Sequence, residues 1–122
     1  MSNIKENLFQ VAVDDLHASK AMALVISNRD SLLALTAYNE ARKHAHSLYA
    51  EAINNKEVSW EKAKGILSVT LQNARWKRDI REEEVFRTYI KALDDAELAF
   101  DKAAKNIDSF VTYDDELSIE GE

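Results

Sequence analysis

The chain contains no proline, and its two glycines stand at positions 65 and 121. No ring constraint can therefore stop a helix anywhere, and there is little to supply the left-handed turns of β-hairpins. Ala, Leu, Glu and Lys, which lose little on entering a helix, are plentiful. The sequence predicts an all-α protein, and 122 residues leave room for one domain with one modest core.

Without proline or glycine, helix boundaries must come from side chains that compete for backbone hydrogen bonds. Two clusters qualify. At Ser27, Asn28, Arg29 and Asp30, Ser27 or Asp30 could cap a following helix while Asn28 tolerates a left-handed end to the preceding one. Between Asn54 and Ser59, Ser59 could cap a helix opening at Trp60 and Glu61, with the acid at the positive end of the dipole. These breaks predict a first helix over about 3–27 and a second over about 30–54, each about 40 Å long.

From Ser59 to about residue 110 the only strong breaker is Gly65. A single long or kinked third helix is expected, giving an antiparallel three-helix bundle with coiled-coil-like packing. The alternative is a four-helix bundle, split where Asp79, Ile80, Arg81 and Glu82 form a capping-box pattern. The expected domain covers 1–110, and the acidic stretch 111–122, without a helical stripe, is expected to be a flexible tail.

Apolar periodicity supports this layout. Ala34, Ala37, Ala41, Ala45, Leu48 and Ala52 recur at spacings of three and four, a narrow face that lets another helix approach closely. Tyr89, Leu93, Ala96, Phe100, Ala103, Ile107 and Phe110 form a heptad seam. Upstream, Ile66, Val69, Asn73, Trp76 and Ile80 share a face whose continuation falls on Glu83 and Arg87, so the stripe shifts phase near 81–86. A continuous third helix of about 75 Å is too long for two 40 Å helices to cover. That arithmetic predicts a homodimer.

Charge is distributed unevenly. The net −6 divides into −1 over 1–27, 0 over 28–55, +3 over 56–82 and −8 over 83–122. The absence of cysteine removes disulfides and thiolate metal sites from consideration. The opening residues lack the basic-then-apolar order of a signal peptide, and the longest apolar run, residues 21–26, is far short of a bilayer span. The expectation is a cytoplasmic protein with no membrane segment.

Candidate chemistry is sparse. Di-metal bundles need Glu-x-x-His on two helices with two further carboxylates. This chain has only Glu40 four residues before His44, then His46, with His17 apart. His44 and His46 lie about 200° apart on a helix, so no metal or cofactor is expected. No serine stands on a strained turn beside a base, and the acidic runs at Asp14, Glu82, Asp94 and Asp114 point around a helix or lie in the tail. The chain is not expected to be an enzyme; a metal-dependent bundle enzyme is the remotest alternative.

Association is the function the residues favour. Arg75, Trp76, Lys77, Arg78, Ile80, Arg81, Val85, Phe86 and Tyr89 combine aromatic anchors with arginine neighbours, the composition enriched at interface hot spots. Trp76, in phase with Ile66, Val69 and Ile80, is expected to pack inward. Tyr113, Leu117 and Ile119, set among acids, could dock on a basic surface. The expected function is stoichiometric binding to another protein, as inhibitor, adaptor or assembly factor, by a self-associating chain. The alternative is nucleic-acid binding through the basic patch from Arg75 to Arg81.

Overall fold

The computed structural model describes the backbone of residues 2–120 and the side chains of residues 3–109. Two helices account for nearly all of it: α1, Ser2–Asn54, and α2, Trp60–Glu120. The two long helices pack together, and no strand occurs among the described residues. The all-α expectation holds, whereas the three-helix and four-helix counts are replaced by two.

The connection between the helices follows from side-chain and backbone capping. Lys56 has φ of 55°, the left-handed conformation that ends helices. The Lys56 amide donates to the Ile53 carbonyl at 3.2 Å and the Glu57 amide to the Ala52 carbonyl at 3.2 Å, the paired bonds of a Schellman ending. On the other side of the turn, Ser59 Oγ accepts from the Lys62 amide at 3.2 Å, and the Ser59 carbonyl accepts from the Ala63 amide at 3.0 Å. Ser59 is thus the N-cap of α2 and Glu61 supplies an acid in its first turn, as the sequence predicts.

The predicted breaks at 27–30 and 79–82 are both absent, and α1 and α2 run through them. Ser, Asn and Asp cost at most about 0.7 kcal/mol each relative to alanine inside a helix. Ending a helix leaves four amides or four carbonyls to be satisfied elsewhere. Ser27, Asp30 and Ser31 are half-buried, in register with the buried Ala23 and Ala34, and packing on that face offsets their low propensity.

Two compact units divide the chain: one joins the N-terminal stretch through Ile26 to the chain from Thr88 onward, and the other is Ser27–Arg87. In the first unit the helices run antiparallel, as shown by Lys5 with Asp108 at 3.4 Å and Lys20 with Glu97 at 2.5 Å. Phe9 meets Phe100 edge to face at 5.7 Å between centroids. Both ion pairs are exposed and contribute little. In the second unit Tyr38 of α1 lies against Arg75 and Arg78 of α2, and the 55–59 turn makes a hairpin of Ser27–Arg87.

The seam between helices has a period of eleven. Among the described residues every buried side chain is alanine: Ala12, Ala23, Ala34 and Ala45 on α1, and Ala63 and Ala96 on α2. The four on α1 are spaced by eleven. On α2, Ala74 and Val85 fall at the same interval between Ala63 and Ala96, and both are half-buried. Eleven residues make three turns at 3.67 per turn, close enough to 3.6 that the seam barely drifts along a helix.

This period corrects the reading of a phase shift near 81–86. The half-buried Leu67, Leu71, Ala74, Arg78, Val85, Tyr89 and Leu93 continue one seam through that region. Ile66, Val69, Trp76 and Ile80 belong to a different face, which points to solvent. The dimer argument from uncovered helix length also falls, because α1 is a single helix of 53 residues rather than two short ones.

What replaces that argument is exposure. Among the described residues twenty large apolar side chains are exposed, twelve on α1 and eight on α2. The most buried seam positions are alanines, larger side chains such as Leu67, Leu71 and Tyr89 are half-buried beside them, and the twenty exposed ones lie outside the seam.

Candidate functional site

The Ser27–Arg87 unit contains a groove of about 490 Å³ beside its seam. Ala34, Ala37, Tyr38 and Ala41 of α1 form one wall, and Ala74, Lys77, Arg78, Ile80, Arg81 and Glu84 of α2 form the other. Three of the four α1 residues are alanine, so no long side chain fills the space between the helices. The result is a shallow channel with an apolar floor and a charged rim.

Tyr38 organises the basic side chains. Its hydroxyl accepts from Arg75 Nε at 3.4 Å, and the Arg78 guanidinium stacks over its ring at 4.5 Å. The hydrogen bond from Arg75, with the positive charges of Arg75, Arg78 and Arg42, holds the Tyr38 hydroxyl below the ordinary tyrosine range, against a desolvation that pushes it up. Arg78 is additionally paired with its neighbour Asp79, at 3.2 Å through Nη2. Arg75 and Arg78 are thus committed to contacts within the unit, whereas Lys77 and Arg81 extend along the groove.

The residues singled out in the sequence separate into three sets. Lys77, Arg78, Ile80 and Arg81 line the groove, with Arg75 joined to it through Tyr38. Trp76 and Phe86 do not line it and are 67% and 61% exposed. Ten residues apart, they lie about 80° from each other around α2. Val85 and Tyr89 are half-buried in the seam, Val85 in this unit and Tyr89 in the other. Tyr113, Leu117 and Ile119 lie outside the described side chains.

The expected inward packing of Trp76 is incorrect. Its face is shared by Ile66, Val69 and Ile80, all of them exposed. That stripe is a genuine apolar face, but no other part of the Ser27–Arg87 unit covers it.

Sequence reasoning passed over Tyr38 and Arg42 as site residues and took Ala37 and Ala41 only as part of a packing face. The recoverable signal was the alanine interval of eleven, which places Ala34 and Ala45 in the seam and Ala41 beside it. Of the histidines, His17, His44 and His46 are exposed. The described residues bring together no group of three or more His, Cys, Asp or Glu side chains that could hold a metal. No described helix is long and apolar enough to cross a membrane. In comparisons with known proteins the chain matches no family model, no curated protein and no solved structure.

Proposed function

We propose that this chain is a non-enzymatic, self-associating helical protein that acts by stoichiometric binding to another protein, as an inhibitor, adaptor or assembly factor. The observation that carries this reading is the inversion of burial: alanines hold the most buried seam positions while Trp76, Phe86 and eighteen other large apolar side chains face outward. Contiguous exposed apolar surface rimmed by charge is the signature of an interaction face. Trp76 and Phe86 are the anchors, and Arg75, Lys77, Arg81 and Arg87 supply the polar rim around them. The mechanism is occlusion: binding covers a surface of the partner, and no bond is made or broken.

The test is the double substitution Trp76→Asp and Phe86→Asp. Both positions are exposed, so helicity by circular dichroism should be retained while capture of the cognate protein from the native host is lost. Capture at the wild-type level by a folded double variant would refute the assignment of these anchors.

A second reading, nucleic-acid binding, is favoured by the gathering of Arg42, Arg75, Lys77, Arg78 and Arg81 in one unit around Tyr38. It requires binding that weakens with salt and disappears when Arg75, Lys77, Arg78 and Arg81 are changed to Glu. A flat mobility-shift titration at low salt eliminates it. The acidic balance of the whole chain, −6, ranks it second.

A further inference from the structure

We infer that the groove face of the Ser27–Arg87 unit is covered by the same face of a second copy, in a two-fold symmetric contact centred on Ala37 and Ala41. This inference rests on the self-association in the reading above and gives it a location separate from Trp76 and Phe86.

The first argument is area. The chain exposes 9532 Å², whereas a folded monomer of 13.9 kDa is expected to expose about 6,700 Å². The surplus, on the order of 2,900 Å², is more than three times the roughly 800 Å² per partner of a standard interface. A single peptide helix laid in the groove could not cover it, but a whole protomer can. Large apolar side chains are exposed on both helices of the unit, Leu33 and Leu48 on α1 and Ile66, Val69 and Ile80 on α2, so the cover must span both. A second copy, itself a pair of helices, meets that condition.

The second argument is self-complementarity. A two-fold contact presents one patch to itself, so that patch must carry both projections and recesses. Leu33 and Leu48 flank Ala37 and Ala41 on α1, all four within an arc of about 80°. On α2, Ile66 and Val69 lie within about 60° of Ile80, which lines the groove. All of these leucines, isoleucines and the valine are exposed. The recess is the alanine-floored groove. The rim also carries both signs, Lys77 and Arg81 against Glu84, so apposed copies can pair base with acid across the contact.

The test is Ala41→Arg in the full chain, with Ala50→Arg as control. Both positions are exposed on α1, but only Ala41 lines the groove. Light scattering should give twice 13.9 kDa for the wild type and for A50R, with A41R associating at least tenfold more weakly. Because A41R could lose its fold along with its partner, a second measurement uses the absence of native cysteine. Ala41→Cys should react with a thiol reagent at least tenfold more slowly than Ala50→Cys under associating conditions. A monomeric wild type, undiminished association of A41R, or equal thiol reactivity at the two positions overturns the inference. Undiminished association of A41R or equal thiol reactivity can occur while the chain still associates and partner capture still depends on Trp76 and Phe86, so those failures are distinguishable from failure of the broader reading; a monomeric wild type removes its self-association as well.

Discussion

Substitution of Ala45 by leucine should destabilise the protein sharply, because Ala45 is 5% exposed in the seam. Ala45 does not line the groove, so the added carbons must displace packed neighbours, and overpacking of a close-packed interior costs about 1–3 kcal/mol. Leucine and alanine both favour helices, so the cost is not one of propensity. A loss of about 2 kcal/mol corresponds to a fall in Tm of roughly 6–10 °C for a chain of this size. Ala50, exposed on the same helix, provides the comparison: Ala50→Leu should stay within about 0.5 kcal/mol of wild type. Thermal melts followed by circular dichroism at matched concentration measure both. Equal melting of the two variants would refute the eleven-residue seam, since the seam is what makes one alanine irreplaceable and the other neutral.

Lys56 holds a left-handed φ that glycine adopts without steric cost, so Lys56→Gly should raise stability by about 0.5–1 kcal/mol in urea unfolding. A loss of stability would contradict the Schellman ending. Tyr38 should ionise below the ordinary tyrosine range in a spectrophotometric titration, and Arg75→Gln should move it back up. Because its folded pKa is depressed, the stabilising interaction with the phenolate grows as pH rises from the folded value toward the unfolded one and is absent below both. Removing the Phe100 ring should weaken the first unit, and a double-mutant cycle with Phe9 should return a coupling of about 0.5–1.5 kcal/mol if their edge contact is maintained in solution.

Much of the architecture is legible in the residues. The lack of proline favours helices, and the run from Asn54 to Ser59 marks the turn because Ser59 is a good N-cap, although the left-handed helix end falls on Lys56 and not on an asparagine. The stretch 27–30 looked similar, yet it continues as helix. Local capping chemistry is the same at both places; what differs is that Ser27, Asp30 and Ser31 lie in register with Ala23 and Ala34 along the seam, a tertiary reward that a local reading omits. The same omission made Asp79 look like a helix start.

The candidate site was harder to read, for a related reason. Large apolar side chains normally mark a core, so Ile66, Val69, Trp76 and Ile80 were joined to the interior and the alanines were treated as spacers. In this chain alanine marks the interior, and the conspicuous residues mark the outside. Arg75, Lys77, Arg78 and Arg81 were visible as a basic patch. Tyr38, which gathers two of them from 37 and 40 positions away, was not, because a contact between helices leaves no local signature.

With twenty large apolar side chains exposed on the single chain among the described residues, the proposed association should stabilise the fold by covering them. Melting temperature measured over a hundredfold range of protein concentration tests this most directly, since coupling of folding to association makes Tm depend on concentration. The account predicts a Tm that climbs steadily as the protein is concentrated. A cooperative transition at one fixed temperature throughout that range would contradict it.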